Sequence, residues 1–421
     1  VVVNSGVHTD FSSKSDAQIL VRGNWTMDGT ADLIRQNTRV TFNGSGAQAI
    51  GGAQQTTFRN LFVEKTAGTT VRLARPALVT DGDVIVVSGT LDLATFTLNR
   101  SALGGEIGVV GGAFLKIGGT NSFPLNYAIH SFNPTSTVDY YGTNQTVTAE
   151  NGPNPPNSSG YGHLILSNTG TKAMPATPMT ILGNFTMSGT ASATAAANLT
   201  VNGNFTLGPG TTFGAASSSH IVRGNFSNSG TFTAGTSTFT FNGTGTQTIG
   251  GSNSTTFNSL NIDNVGGVVL SGVNTTVNGT LTFTSGNVTT GPRSIANSAT
   301  GNVSRTSGHV VGNFQKFVAT GAPTLTYEIG DSGAYTPVTV AFGSVSGSGN
   351  LTGSTTPSDH PNTGTSPVDR LKSVNRYWTF TNSGLSFTNY SATFNFVPGD
   401  LDPGVDTNAF IVGKFSGATW T

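Results

Sequence analysis

The chain of 421 residues balances 19 Lys+Arg against 19 Asp+Glu, and only 9% of its residues are charged, which argues against nucleic acid or an anionic membrane as a partner. It holds no cysteine, so disulfides, thiolate metal sites and cysteine nucleophiles are excluded together. Hydrophobic residues make up 35%, little for a compact enzyme but enough for thin stacked coils, and glycine is high at 57 residues.

The chain opens on Val1-Val2-Val3-Asn4-Ser5-Gly6-Val7, a short apolar run that reads as an edge strand. A start at Val1 rather than Met is expected of a chain whose signal peptide has been removed, or of a cut chain. Next come Arg22-Gly23-Asn24-Trp25-Thr26, the run Val40-Thr41-Phe42-Asn43-Gly44-Ser45-Gly46-Ala47-Gln48, and Thr56-Thr57-Phe58-Arg59-Asn60-Leu61. Each returns about 200 residues later, as RGNFS from Arg223, TFTFNGTGTQTIGG from Thr238 and TTFNSL from Thr255. A weaker copy lies between them, around Val138 to Val147 and Tyr161 to Leu166. The large repeat is therefore about 100 residues in three copies.

Two stretches interrupt this rhythm and read as insertions or as the solenoid's edges. One covers about residues 100–132; the other, about 150–160, contains Pro153, Pro155 and Pro156, which cannot lie inside a central strand. The stretch from Gly291 to Thr306 breaks the rhythm as well.

Within Gly183 to Phe283 the repeat has a finer grain. Glycines at 183, 203, 224, 243 and 279 mark steps of about 19 residues if Leu260 stands for the step without one. Short runs of Thr, Val, Phe and Leu between Gly/Asn turns are strand signals. A single coil of this size cannot bury its inward face alone and must stack on a neighbour. In register, Phe185, Phe205 and Phe226 form an inward aromatic ladder, with Asn184, Asn204 and Asn225 as a ladder at the turn. An antiparallel sandwich would share this punctuation, but the fixed period favours stacked coils. From Asn151 to Ile262 no residue is acidic and only Lys172 and Arg223 are basic, so hydroxyls and amides must solvate that surface.

From about Ser307 the spacing widens and alternation becomes strict, as in LTYEIG, PVTVAF, NRYWTF and ATFNF. This predicts an antiparallel β-sandwich capping the coils. The expected fold is all-β: a stacked-coil β-solenoid, parallel β-helix-like, over 1–306, and a β-sandwich over 307–421. No apolar run is long enough to span a bilayer.

The succession TFNGTGTQTIGG, TFNSLNIDN and TVNGTLTFTSGNVTTG, followed by GNFQK, YEIGD, VTVAF, VNRYWTF and FVPGDLD, covers nearly the whole chain. It resembles the repetitive secreted surface proteins of the Bacteroidota type. That resemblance implies large β-helical chains exported by the type IX route and anchored or assembled outside the cell, with no single activity attached. A type IX sorting domain is not visible, and the chain stops in the middle of what reads as a strand.

Candidate chemistry is sparse. His8, His130, His163, His220, His309 and His360 show no metal-ligand spacing, and neither a GxSxG elbow nor a P-loop occurs. Asp81 and Asp83 flank a turn glycine, where Asp commonly caps. Asp400, Asp402 and Asp406 offer hard oxygen ligands for calcium, against a plain turn. Glycoside hydrolysis needs two positioned carboxylates, and the acid-free stretch is a poor host for them. Sequons at Asn24, Asn184, Asn204, Asn278 and Asn389 follow from composition, though O-glycosylation of the Thr/Ser surface stays open.

The expectation is a non-enzymatic extracellular structural protein without catalytic, cofactor or metal residues. It is a subunit of a bacterial surface fibre or stalk that polymerises with itself through exposed β edges. Val1, Val2, Val3 and Val7 are the candidate docking strand, which adds to the next subunit's edge. The alternative is a surface adhesin for glycan or a host or partner surface, with Tyr140, Tyr141 and Tyr161 as an exposed aromatic cluster beside the proline loop; glycans or the cell envelope are the further partners it implies. The third reading is a β-helical polysaccharide-degrading enzyme.

Overall fold

The computed structural model describes residues 1–421 apart from 7, 11–16, 33–36, 80–81 and 151–159. The protein is all-β, with 50% of residues in strands and 2% in helices, and carries about 14 stacked turns of β-solenoid together with antiparallel sheets. It divides into two compact units, Val1–Ser237 and Thr238–Thr421.

In the first unit, one sheet runs from Val2–Val3 through Trp25–Met27 and Gln48–Gly51 to Phe205–Leu207 and Phe226–Asn228, every pairing parallel. A second parallel sheet climbs from Gln18–Val21 to Tyr127–Phe132, and three strands of another, Met179–Ile181, Leu199–Val201 and Ser219–Val222, follow higher up. A third side is built by Thr56–Phe58, Ala77–Val79 and Leu98–Arg100, and higher up by short strands from Gln145–Thr146 to Thr231–Thr233. Most strands on the first side hold only three or four residues because Gly/Asn turns end them. Phe205 and Leu207 point inward and Thr206 outward, the period-2 arrangement of a half-buried strand.

The turn glycines are fixed by close stacking. A Cβ on Gly224 would sit 2.5 Å from the carbonyl carbon of Gly203 one coil away, so only glycine allows the two turns to approach. The segment around 100–132, expected as an insertion, is regular coil. Gly104–Val109 pairs in parallel with Tyr127–Phe132, and Phe114–Ile117 pairs with Thr137–Tyr140. Glycines and a longer turn hide its periodicity from a 19-residue template. The proline stretch 151–159 lies outside the described residues.

In the second unit, parallel stacking runs from Thr238–Phe241 through Ser259–Asp263 and Thr280–Ser285 to Asn302–Arg305. The stretch from Gly291 to Thr306 is therefore coil as well. Val310–Val318 changes the architecture. Residues Val310 to Lys316 pair in parallel with Val288–Asn297; on the opposite edge Val310 and Val311 pair in parallel with Ile329–Gly330, and Phe314 to Val318 pair antiparallel with Gly349–Thr356. Tyr377–Ser383 extends that antiparallel sheet, and Thr324–Tyr327, Val338–Phe342 and Tyr390–Phe394 form another. The buried ring of Tyr327 stands between Phe314 and Phe380, and its hydroxyl donates to Leu351 O at 2.9 Å. The antiparallel sheets thus grow from the last coil, within the unit Thr238–Thr421.

Candidate functional site: ladders, clamps and an open strand edge

The polar side chains of this chain are spent mainly on joining coils. Asn204 N–H donates to Asn184 Oδ1 and Asn225 N–H to Asn204 Oδ1, each at 2.8 Å. Asn184 N–H in turn donates to His163 Nδ1 at 2.8 Å, so an imidazole ends the asparagine ladder, and burial lowers its pKa. Inside, Phe185, Phe205 and Phe226 stack in register with centroids 4.9 and 5.2 Å apart, all fully buried. Both predicted ladders are present. Asp83 belongs to a similar chain: its N–H donates to Asn60 Oδ1 and its Oδ1 accepts from Glu106 N–H. Asp81 lies outside the described residues.

A second device was not read from the sequence. Gln48, buried, donates through Nε2 to Val21 O and accepts through Oε1 from Gly44 N–H and from Lys65 Nζ, which also donates to Gly44 O and Gly46 O. Gln145 repeats this about 100 residues on. Its Nε2 donates to Ile117 O and Asn121 O, and its Oε1 accepts from Gly142 N–H and from Lys172 Nζ. In the third copy Gln247 Oε1 accepts from Gly243 N–H, and Asn264 Nδ2 replaces the lysine at 2.9 Å. These clamps fasten the turn of one coil to the coils beside it. Their buried ammonium groups lose hydration, which pushes Lys172 down to about 8 and lowers Lys65. The recurring Gln four or three residues after the turn Gly was the available signal.

The outer side of the first sheet carries an alternating ladder of charges. Arg72, Asp92, Lys116 and Asp139 lie side by side on successive strands, with ion pairs of 3.6 Å (Arg72–Asp92) and 3.5 Å (Lys116–Asp139). Tyr141 belongs to it: its hydroxyl donates to Asp92 Oδ1 at 2.6 Å and Lys116 Nζ stands 4.7 Å from its ring centroid. Sequence separations of about 20 residues conceal such a row.

The proposed glycan cluster requires correction. Tyr140 and Tyr161 have no exposed surface; their hydroxyls meet at 2.9 Å, and that of Tyr161 also donates to Thr148 O. Burial pushes Tyr140 up to about 12 and raises Tyr161 well above the usual tyrosine value. Tyr140 lies on Thr137–Tyr140 and Tyr161 on an isolated bridge to Ile181, both buried, so of the three only the half-buried Tyr141 reaches the surface. Beside them, His130 Nδ1 meets both oxygens of the buried Glu150, at 2.9 and 2.8 Å, and burial raises the Glu150 pKa.

The calcium candidates are engaged otherwise. Asp400 takes both Nε and Nη2 of the buried Arg376, at 2.7 and 2.9 Å, and Arg376 also binds Asp331 at 2.6 Å. Asp402 accepts from Ser373 N–H and Asn375 Nδ2, and Asp406 caps Asn408 N–H. Protein donors therefore occupy the three carboxylates separately. Among the described residues no three His, Asp or Glu side chains converge as a metal site.

Of the assembly candidates, Val2 and Val3 pair in parallel with Thr26 and Met27 of their own chain, and Thr26 N–H donates to Val1 O at 2.8 Å. In a parallel ladder this alternation turns the N–H and C=O of Val2 to the other side. Val2 is 65% exposed. Among the described residues Val2–Val3, His8–Asp10 and Gln18–Val21 each pair on one side only. Val7 lies outside the described residues. Among the described residues no helix is long and apolar enough to cross a membrane. No family model, curated protein or solved structure matches the chain.

Proposed function

We propose that the protein is an extracellular structural subunit of a bacterial surface fibre or stalk, joined to further copies through its open strand edge. The observation that carries this reading is the one-sided pairing of the first coil, which leaves strand backbone facing outward at Val2. The interior supports it: glutamine, asparagine and lysine side chains are committed to coil-to-coil bonds, the investment expected of a load-bearing stack. The composition of the acid-free stretch suits a secreted chain of the kind it resembles.

The edge also decides the test. Removing residues 1–9 would uncover Trp25–Met27 as a fresh edge, so deletion alone is ambiguous. Val2→Pro removes one outward N–H that the chain itself does not use, while Val2→Ala keeps it. In sedimentation velocity, wild type and Val2→Ala should form polymers and Val2→Pro should remain monomeric with unchanged circular dichroism. Polymers of Val2→Pro equal to those of wild type would refute the edge contact.

A further inference from the structure

One face of the first unit differs from the others. Thr171–Ala173, Ser192–Thr194, Thr212–Gly214 and Thr231–Thr233 stack in parallel register, following Gln145–Thr146. On the neighbouring sides the three-residue strands send two side chains inward and one outward. Here the arrangement is reversed. The middle residues Lys172, Ala193 and Phe213 are buried and Phe232 is half-buried, and both flanking positions face out.

The outward positions form two ranks. Thr171, Ser192, Thr212 and Thr231 make the first, and Thr194 and Thr233 stand in the second, where Ala173 and Gly214 fill the remaining places with groups too small to protrude. All six hydroxyl-bearing residues are exposed or half-exposed, and no side-chain hydroxyl among them is held by another group of the chain. Strand geometry spaces neighbours about 4.8 Å apart across the ranks and roughly 6.6 Å apart along each strand. The result is a two-dimensional net of hydroxyl and methyl groups on stiff backbone. β-branching restricts the threonine χ1 rotamers, so little side-chain freedom is lost when the net meets a surface.

The chemistry of a fitting ligand follows from what the face offers. An ionic ligand needs opposing charge, and the one ionisable side chain on these four strands, Lys172, is turned inward and clamped to Gln145. A single sugar is held by convergent polar groups in a concavity with an aromatic wall, whereas Phe213 points into the core here. What matches a repeating, uncharged array of donors, acceptors and methyls is a surface that repeats in two dimensions and is itself made of hydroxyl groups. We propose that this double threonine rank binds the surface of crystalline water, ice. The inference does not rest on self-association, and it gives a role to the long stretch without acidic residues.

Ice-affinity partitioning tests it: the intact protein is placed in water that freezes slowly onto a cold probe, and its concentration in ice and liquid is compared. Wild type should be enriched in the ice several-fold over a non-binding protein of similar size. Thr194→Tyr/Thr212→Tyr, which breaks both ranks with outward bulk, should fall to the non-binding level. Thr206→Tyr, outward on a neighbouring side, should behave as wild type. Should the double variant lose its cooperative melting, Thr231→Lys replaces it, adding one charge to the last rung with the same expected loss. Exclusion of wild type from the ice, or unchanged enrichment in the face variants, would overturn the proposal. So would binding to microcrystalline polysaccharide without binding to ice.

Discussion

Lys172 shows how single residues are committed in this fold. Its ammonium has no exposed surface and gives its protons to Gly142 O, Thr143 O and Gln145 Oε1. Burial lowers its pKa from the usual 10.5 to about 8. Between those values the unfolded chain binds the extra proton, so stability should rise as pH climbs from 8 towards 10. Above about 10 the trend reverses. Tyrosines of the unfolded chain ionise there, while Tyr140 and Tyr161 are held protonated in the fold. Lys172→Met removes the buried charge but orphans three acceptors, and at about 1–3 kcal/mol for each buried group left unpaired the loss should dominate. Urea unfolding should show Lys172→Met destabilised at pH 7, with a smaller gain between pH 8 and 10. Phe205, wedged between Phe185, Phe226 and Phe213, is the apolar counterpart. Phe205→Ala should cost about 3–5 kcal/mol in the same measurement.

At the scale of the element, what was legible followed from strict recurrence. Gly-Asn-Phe-Thr at 183 and 203 and Gly-Asn-Phe-Ser at 224 disclosed both the phenylalanine and the asparagine ladders, because a fixed step lets register be read directly. The glutamine clamps lay in the same quoted repeats yet stayed hidden. Their partners are turn carbonyls, which every residue carries and no side chain announces. The tyrosines misled for another reason. Tyr140 and Tyr161 flank the proline stretch in sequence, but both rings are buried in the core, where their hydroxyls meet each other. Equally, the 100–132 segment is coil despite its broken rhythm, since parallel pairing tolerates turns of unequal length. The clamp itself is open to a test. Gln145→Leu would leave Ile117 O, Asn121 O and Gly142 N–H without their partner. Hydrogen exchange should then quicken around residues 142–146 before it quickens in the Phe185–Phe205 rungs.

For the whole molecule, the widening of spacing read from about Ser307 coincides with Val310–Val318, which keeps parallel pairing with Val288–Asn297 on one edge while Phe314 to Val318 begin antiparallel pairing on the other. Alternation looks the same for both kinds of pairing, so the sequence marked the shift of spacing without naming its cause. Stacking can be continued only where strand backbone is free, and among the described residues the strand carrying Val2 pairs on one side only. The central claim is that copies of this chain join through that edge. Negative-stain electron microscopy of purified wild type beside Val2→Pro tests it most directly. The account predicts filaments with a regular axial repeat for wild type and dispersed single particles for Val2→Pro. Dispersed particles for both proteins, or the same filaments from both, would contradict it.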